Sequence, residues 1–345
     1  MRAVVYRGVG DVRVEAVADP EIEHPGDAIV RVTTAAICGS DLHFFHGKTP
    51  LEPGETIGHE AVGVVERTGP EVRRFVPGDR VAVSFVIACG RCWFCRQGQT
   101  GLCEDYRNLG AGIFGGGLGG AQAELLRVPA ADLNLLPVPA AVDDERAVFV
   151  GDALTTGVYA VARAEVAPGQ TVAVVGAGPV GYCCVQAARL EGAEVIAIDL
   201  DPARLALAGD AGAVPVNATE RNAEMAVADR TEGRGADVAI EAVGTAAGFR
   251  RALEVVRRGG RVAVAGVYAS EVVEAQLGVW WARGLDLRFT GVCPVHAWWE
   301  RTMGEVEGGR LDPAPLVSHR LPLEEAPRGY RLFDEREATK VLLIP

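Results

Sequence analysis

Hydrophobic positions fall into short runs whose spacing changes along the chain. In the first half the runs AVVYRG, DAIVRVTTAAI, EAVGVVERTG and DRVAVSFV are separated by turns such as VPGDRV at 76–81, a pattern typical of β-strands. From about residue 153 the runs TVAVVGAG, EVIAIDL, ADVAIEAVG and RVAVAGV alternate with helix-like segments. This alternation predicts a parallel sheet with helices on both faces. The chain then returns to short Pro-rich elements and ends on VLLIP.

One uncharged stretch, 171–188, approaches the length of a membrane span. It contains Gly176, Gly178, Pro179 and Gly181, so it favours a buried strand, a tight loop and the start of a helix. The segment MRAVVYRGVG has no basic region followed by a long apolar run and does not indicate a signal peptide. We therefore expect a cytoplasmic protein with no membrane partner.

Composition bounds the domain number and the class of partner. The 345 residues, 49% hydrophobic and 23% charged, are enough for two globular domains. The formal net charge of −12 argues against a nucleic-acid partner, since phosphate binding needs clustered Lys and Arg.

Four cysteines lie within fifteen residues in CGRCWFCRQGQTGLC, at Cys89, Cys92, Cys95 and Cys103. Four thiolates can close a tetrahedral shell on zinc, and a shell with no open position is structural. An iron–sulfur cluster is the alternative by cysteine number, but no cysteine–proline signature follows Cys103. Two disulfides are disfavoured in a chain without an export signal. A nucleic-acid-binding lobe is a third alternative, against which the acidic charge and the seven-residue final spacer argue.

A Gly-rich loop follows the apolar run TVAVV. The motif GAGPVG, residues Gly176, Gly178, Pro179, Val180 and Gly181, precedes a segment of helical character. This is the context of a dinucleotide-binding loop. The first glycine allows the tight turn, the second lets the backbone approach a pyrophosphate, and the third permits close packing of helix on strand. The free N–H groups at the helix start favour the anion.

An acidic residue follows at the expected distance. Asp199 ends EVIAIDL, eighteen residues after Gly181. Its carboxylate can accept both ribose hydroxyls and repels a 2′-phosphate, so the sequence favours NAD over NADP. Arg204 is the feature that could weaken this preference, although an exposed helix position is the simpler interpretation.

The combination of motifs resembles the zinc-dependent medium-chain alcohol dehydrogenases. CGSDLH at 38–43, GHE at 58–60, the four-cysteine lobe, GDALTTG at 151–157 and GAGPVG at 176–181 occur in the order found in that family. The resemblance implies an α/β protein, in which a GroES-like, mainly β catalytic domain (1–153, with 291–345 returning to it) accompanies a Rossmann doubly wound parallel-sheet cofactor domain (154–290). It also implies reaction in the cleft between these domains.

The resemblance further implies a catalytic zinc held by Cys38, His59 and Asp152, which makes two zinc ions per chain. Many members have cysteine at the third position, and this chain is similar to a branch that uses aspartate. A helix cap before ALTTG is the alternative role for Asp152, but no cysteine lies nearby to take the ligand position, so the ligand role is favoured. Glu60 is either a transient ligand or a neighbouring charge that tunes the metal. Asp41 looks like the carboxylate that orients His59.

Other roles are also implied by the resemblance alone. Ser40 and His43 match a relay that carries the alcohol proton outward, for which the pKa of histidine is suited. Thr156 matches a residue beside the nicotinamide ring, and Lys340 a basic residue at the cofactor's pyrophosphate. Phe85 matches an aromatic of the substrate pocket. The pairs Trp280–Trp281 and Trp298–Trp299 are interpreted as core residues.

The function implied is reversible, NAD-linked hydride transfer between a primary or secondary alcohol and its aldehyde or ketone. A formaldehyde-type or polyol dehydrogenase is the alternative within the fold, because GDALTTG and IFGGGLGGAQAELLRVP resemble the formaldehyde-oxidising branch. A non-catalytic zinc-binding relative is the alternative from another class. Family members of this size imply a homo-oligomer, a tetramer before a dimer.

Overall fold

The protein divides into two compact units. The structure, a computed structural model, describes residues 1–269 and 272–345, and the side chains of residues 113 and 114, in the Gly-rich stretch compared above, lie outside the description. The first unit comprises Met1–Thr155 and Val292–Pro345, and the second Thr156–Gly291. The first unit is therefore built from two separate stretches of chain.

The strands of the described residues are short and mostly buried. They are β1 Arg2–Gly8, β2 Asp11–Ala16, β3 Ala28–Ile37, β4 Glu60–Thr68, β5 Arg80–Val83, β6 Val86–Ile87, β7 Arg107–Asn108, β8 Leu125–Val128, β9 Leu135–Pro137, β10 Thr171–Val175, β11 Glu194–Asp199, β12 Val214–Asn217, β13 Ala236–Glu241, β14 Val256–Val264, β15 Asp286–Phe289, β16 His319–Pro322 and β17 Val341–Ile344.

The helices are concentrated in the middle and the end of the chain. They are α1 Asp41–Phe45, α2 Trp93–Arg96, α3 Ala131–Asn134, α4 Asp144–Ala147, α5 Ala153–Arg163, α6 Pro179–Leu190, α7 Pro202–Asp210, α8 Ala223–Ala228, α9 Ala246–Val255, α10 Leu277–Ala282, α11 Trp299–Glu307 and α12 Ala326–Asp334, with 3₁₀ turns at Thr100–Leu102, Gly112–Gly115, Val295–Ala297, Ala314–Leu316 and Leu323–Glu325.

The first unit is organised around a seven-stranded sheet. Its order is β16-β17-β3-β4-β5-β9, with β8 also paired to β3, and all of these pairs except β16–β17 are antiparallel. Alternate side chains of the central strands bury against β1, β2 and α12 in one apolar cluster. Strand β17 is inserted between β16 and β3, so a late segment of the sequence pairs with an early one.

The second unit contains a six-stranded, wholly parallel sheet of order β12-β11-β10-β13-β14-β15. Strand runs such as TVAVV are almost entirely buried, as expected when helices cover both faces. The chain enters at β10, runs outward to β12 and crosses back to β13, so the strand order reverses between β10 and β13. Ligands of such sheets bind outside the carboxyl ends of the strands at that reversal.

The stretch 171–188 forms β10, a loop and the start of α6, which confirms the expectation of strand, loop and helix. Within the described part of the chain, no helix combines the length and hydropathy that crossing a bilayer requires.

The interpretation of both tryptophan pairs as core is wrong for one residue. Trp299 is buried and Trp280 packs on Phe249 with ring centroids 5.7 Å apart. Trp281, however, is 85% exposed. Trp280 and Trp281 are adjacent on α10, and successive side chains of a helix point about 100° apart, so one can pack inward while the other faces solvent.

Candidate metal centres and cofactor loop

The ends of neighbouring strands bring two predicted ligands together. Strand β3 ends at Ile37, directly before Cys38, and β4 begins at Glu60, directly after His59. These strands pair antiparallel with Ala36 opposite Glu60. The end of β3 and the start of β4 therefore meet at one edge of the sheet, which places Cys38 and His59 side by side.

A tight backbone contact places the third predicted ligand at the same edge. Strand β5 pairs with β4, Val83 opposite Ala61, and the amide of Phe85 donates to the carbonyl of Gly151 at 3.2 Å. A Cβ on Gly151 would lie 2.1 Å from the Val83 carbonyl oxygen, so only glycine permits this approach. Asp152 follows it and immediately precedes α5.

Three unlike donor atoms converge at this edge. One ligand atom each from Cys38, His59 and Asp152 lie within 4.8 Å of one another. The Asp152 Oδ2 is 3.2 Å from His59 Nε2 and 3.8 Å from Cys38 Sγ. Zinc bonds of about 2.0–2.3 Å at tetrahedral angles separate their donors by about 3.3–3.7 Å. A thiolate and a carboxylate also balance a divalent charge, so the three residues fit a zinc ion.

Electrostatics at His59 favour a cation. Burial lowers the pKa of His59, but the Asp41 carboxylate and the hydrogen bonds to Asp152 and Cys38 outweigh burial and raise it well above its usual range. The Asp41 Oδ1 lies 3.1 Å from His59 Nδ1, the arrangement that directs the other ring nitrogen at a metal. A metal held here would bind the neutral imidazole through Nε2, so its binding would compete with a proton on His59.

The four cysteines form a second cluster. Their sulfur atoms lie within 4.8 Å of one another, with Cys89–Cys95 and Cys92–Cys103 each at 4.0 Å, and all four are free thiols. Backbone amides of Cys89, Cys92 and Cys95 donate to sulfur at 3.3–3.4 Å. The donation from Cys95 is the main reason that the pKa of Cys92 falls to about 6. Four donors at this spacing fit a closed zinc shell.

The Gly-rich loop in the second unit has the close approaches that its motif requires. Gly176 has φ +92°, and a Cβ on Gly181 would lie 1.8 Å from the Gly176 carbonyl oxygen. Helix α6 begins at Pro179, with Val180 in its first turn. Asp199 ends β11, and its Oδ2 accepts from the Ala177 amide at 2.6 Å. The acid is thus in hydrogen-bond contact with the loop.

Two family models match the chain. One, described as an alcohol dehydrogenase GroES-like domain, matches residues 24–140, and the other, described as a zinc-binding dehydrogenase, matches 179–303. A probable zinc-binding alcohol dehydrogenase of Mycobacterium tuberculosis is 42% identical over 332 residues, which cover 96% of this chain and 84% of that protein. The chain belongs to the zinc-dependent medium-chain dehydrogenase/reductase family.

Solved structures agree with this assignment. Alcohol dehydrogenase TADH from Thermus sp. ATN1 is 46% identical, with a TM-score of 0.96 over 100% of this chain and 99% of that one. A putative zinc-binding dehydrogenase from Sinorhizobium meliloti, bound to NADP, is 31% identical, with a TM-score of 0.88 over 100% and 99%. The predicted fold class of GroES-like and Rossmann domains is confirmed, and the chain is a zinc alcohol dehydrogenase-like oxidoreductase.

Ser40, the first residue of the predicted proton relay, lies beside two of the predicted metal ligands. The Ser40 hydroxyl lies 3.2 Å from His59 Nε2 and 3.4 Å from Cys38 Sγ. His43 is half-buried on α1, and burial, together with the charge of Lys48, lowers its pKa. Near neutral pH the imidazole is therefore a proton acceptor.

Phe85 and Thr156 lie on different elements. Phe85 is half-buried between β5 and β6, its ring 6.2 Å from that of His59 in an edge-on arrangement. Thr156 is partly exposed in the first turn of α5.

Lys340 has a partner that the sequence did not indicate. Its side chain is fully buried, and its ammonium donates to Glu60 Oε2, which is equally buried. Burial lowers the pKa of Lys340, but the Glu60 carboxylate outweighs burial and raises it overall. The Glu60 Oε1 has no hydrogen-bond partner among the described residues. The contact of Lys340 with a cofactor stays a prediction.

Glu241 in the second unit was also missed. It is fully buried at the end of β13, beside the strand reversal, and its Oε1 accepts from the amides of Val243 and Gly244 at 2.7 and 2.9 Å. In the sequence ADVAIEAVG this single acid is indistinguishable from an ordinary strand residue. Only the two amide donors in the loop after β13 show that Glu241 holds that loop in place.

Proposed function

We propose that this chain catalyses reversible, NAD-linked hydride transfer between a primary or secondary alcohol and its aldehyde or ketone. The observation that supports this most directly is the pairing of a complete four-sulfur cluster with a three-donor cluster. Three protein ligands leave a fourth position for substrate or water, which is the arrangement of a catalytic zinc site. When bound, zinc polarises an alcohol oxygen as a Lewis acid, and the nicotinamide carries the hydride.

The residues of the chain then have separate tasks. Cys38, His59 and Asp152 hold the metal, and Asp41 orients the imidazole through its second nitrogen. The Ser40 hydroxyl, 3.2 Å from His59 Nε2, accepts the alcohol proton and passes it toward His43. Phe85, edge-on to His59, provides an apolar wall for the substrate.

The cofactor residues support NAD. Gly176, Gly178, Pro179, Val180 and Gly181 present the α6 amides to the pyrophosphate. Asp199 receives the ribose hydroxyls and disfavours a 2′-phosphate by charge. Thr156 is assigned to the nicotinamide ring and Lys340 to the pyrophosphate. Because a relative is bound to NADP, this preference needs a direct test.

The proposal includes the organisation expected from the sequence. Residues 1–153, with 291–345, form the catalytic domain, and 154–290 form the cofactor domain. Two zinc ions bind per chain, and the assembly is a homotetramer located in the cytoplasm. Metal analysis and light scattering of the purified protein test the zinc number and the assembly.

The deciding experiment is a substrate profile with both cofactors. Ethanol, benzyl alcohol, sorbitol, threonine and formaldehyde are each assayed with NAD⁺ and NADP⁺. We expect NAD⁺-dependent oxidation of a simple alcohol. Exclusive oxidation of formaldehyde or sorbitol would instead favour the formaldehyde-type or polyol alternative. The absence of turnover, with one zinc or none per chain, would favour a non-catalytic relative.

The cofactor preference has a matched pair of variants. Asp199→Asn removes the charge but keeps an oxygen that can accept from Ala177, whereas Asp199→Gly also removes that contact. Asp199→Asn should shift the ratio of kcat/KM values for NAD⁺ and NADP⁺ toward NADP⁺ at least about tenfold, because a carboxylate no longer repels the 2′-phosphate of NADP⁺. An unchanged ratio in both variants would show that another group sets the preference.

A further inference from the structure

Gln122 and Tyr330 lie behind Asp41, on the side away from the metal cluster. They are 208 residues apart in the chain, with Tyr330 on α12, and neither side chain is accessible to solvent. The Tyr330 hydroxyl donates to Gln122 Oε1 at 3.0 Å, and Gln122 Nε2 donates to Asp41 Oδ2 at 3.2 Å. A line of buried hydrogen bonds thus ends at the carboxylate that contacts His59.

The acceptors around Gln122 fix the orientation of its amide. Its Nε2 faces the Ala36 carbonyl at 3.1 Å and Asp41 Oδ2, and both of these groups only accept. The amide oxygen must therefore face Tyr330, whose hydroxyl must donate. Burial, with the charge of Asp41 nearby, raises the pKa of Tyr330 well above its usual range, so this donor keeps its proton.

Both carboxylate oxygens of Asp41 have partners. Its Oδ2 also accepts from the Cys38 amide at 2.9 Å, while its Oδ1 lies 3.1 Å from His59 Nδ1. Since His59 can offer the Nε2 lone pair to a metal only when Nδ1 carries the proton, the position of Asp41 decides the tautomer and the ring direction.

We propose that Gln122 and Tyr330 are positioning residues of the metal site: together they fix Asp41, and through Asp41 they fix the imidazole of His59. The inference rests on the metal site included in the proposed function. It adds two residues whose hydrogen bonds lead to His59 by way of Asp41.

Close packing around Gln122 and Tyr330 supports their role in fixing Asp41. Gly58, directly before His59, has φ +93°, and a Cβ there would lie 2.3 Å from Gln122 Cγ. Gln122 therefore fills the space that this glycine leaves. The Tyr330 ring lies 5.5 Å from that of Phe45, on the same helix α1 as Asp41. At the far end of α12, Asp334 pairs with His46 at 2.8 Å.

The test measures metal affinity of the full-length protein in Gln122→Glu. This near-isosteric change places a carboxylate against Asp41 and the Ala36 carbonyl, where a donor is required. Zn²⁺ affinity is measured by chelator competition, and the visible absorption of the Co²⁺-substituted protein separates a one-thiolate site from a four-thiolate site. We expect about tenfold weaker binding at the Cys38 site, the effect typical of outer-shell changes, and an unchanged four-cysteine site.

A milder variant keeps the test decisive if Gln122→Glu does not fold. Tyr330→Phe removes one hydroxyl, leaves Gln122 Oε1 unsatisfied, and should weaken the same site in the same direction. Tyr6→Phe is the matched control, because Tyr6 is a buried tyrosine of the same apolar cluster on β1, and it should leave the affinity unchanged.

Two failures are distinguishable. If the folded variants keep the Cys38-site affinity and Co²⁺ spectrum within about twofold of wild type, below the usual outer-shell effect, Gln122 and Tyr330 have no positioning role. If wild type itself binds no metal at Cys38, His59 and Asp152, the proposed function fails before the inference is reached.

Discussion

Two groups of candidate metal ligands lie in the first unit, and they are built in opposite ways. The four cysteines come from one stretch of fifteen residues, remain partly exposed except Cys103, and are hydrogen-bonded by their own backbone amides. Cys38 and Asp152 are 114 residues apart. Asp152 and the neighbouring His59 are buried, whereas Cys38 is partly exposed. Their geometry comes from paired strands, a glycine contact and the carboxylate of Asp41.

The two ways of building a cluster indicate two roles: the four-cysteine cluster stabilises the fold, and the dispersed cluster serves the reaction. The local cluster can supply all four ligands in a lobe whose apolar cluster is small, so a metal bound there would take the place of a core. The dispersed cluster can supply three ligands at the ends of paired strands, which in the proposed function leaves a fourth position for a reactant. Removing a ligand from each cluster should therefore change different properties.

The largest expected effect follows from Cys38→Ser. Loss of a thiolate ligand removes the Lewis acid, which contributes several kcal/mol to the reaction, so kcat/KM should fall by at least about a thousandfold. Metal analysis should find the four-cysteine zinc retained. Near wild-type turnover would remove Cys38 from the site.

Cys92→Ser should change stability more than chemistry. The variant loses its lobe metal, and its thermal midpoint should fall by at least several degrees, because structural zinc contributes directly to folding. Turnover per folded chain should fall far less than in Cys38→Ser. Cys184→Ser is the control, since Cys184 is a buried thiol outside both clusters. It should keep both metals, and equal metal loss there would contradict a specific role for Cys92.

The smallest expected effect concerns the attachment of the lobe and depends on pH. His296 is half-buried between Thr100 Oγ1 at 2.8 Å and Asn134 Oδ1 at 2.9 Å, and the loss of solvent around its ring lowers its pKa to about 4. The unfolded chain, with a histidine pKa near 6.5, binds this proton first. Stability from this group is therefore complete above about pH 6.5 and falls as the pH decreases toward 4.

The measurement compares wild type with His296→Gln at pH 7 and pH 5, using denaturant unfolding followed by tryptophan fluorescence. Between these pH values wild type should lose about 2 kcal/mol more of its free energy of unfolding than the variant. Proton competition for the metal ligands is common to both proteins and cancels in the difference. Equal losses would mean that His296 is not held neutral.

The same contrast explains how much the sequence predicted. The spacing of Cys89, Cys92, Cys95 and Cys103 indicated a zinc lobe without help, and the Gly-rich loop with Asp199 was recognisable because strand, turn, helix and acid follow one another. Cys38, His59 and Asp152 have no such local pattern. They were connected only by resemblance to a family, because the contacts that unite them are tertiary.

Contacts between residues that are far apart in the chain were missed for the same reason, even where the resemblance had named both residues. Lys340 and Glu60 are 280 residues apart, and neither position differs in sequence from an ordinary surface lysine or strand acid. Gln122 follows two glycines and an alanine in a loop, and Tyr330 follows the polar segment EEAPRG. Only the folded chain shows that the first pair is a buried ion pair and that the second reaches Asp41.

The position of β17 between β16 and β3 has a consequence for biosynthesis. Ile37, the residue before Cys38, pairs with Val341, so the sheet around the dispersed cluster stays incomplete until the residues near position 341 have been synthesised and have paired. The middle unit is continuous in sequence and emerges earlier, and domains fold as units during synthesis. We therefore expect the sheet around Cys38 to be completed later than the middle unit and later than the cysteine lobe, because the residues of both are synthesised before β17.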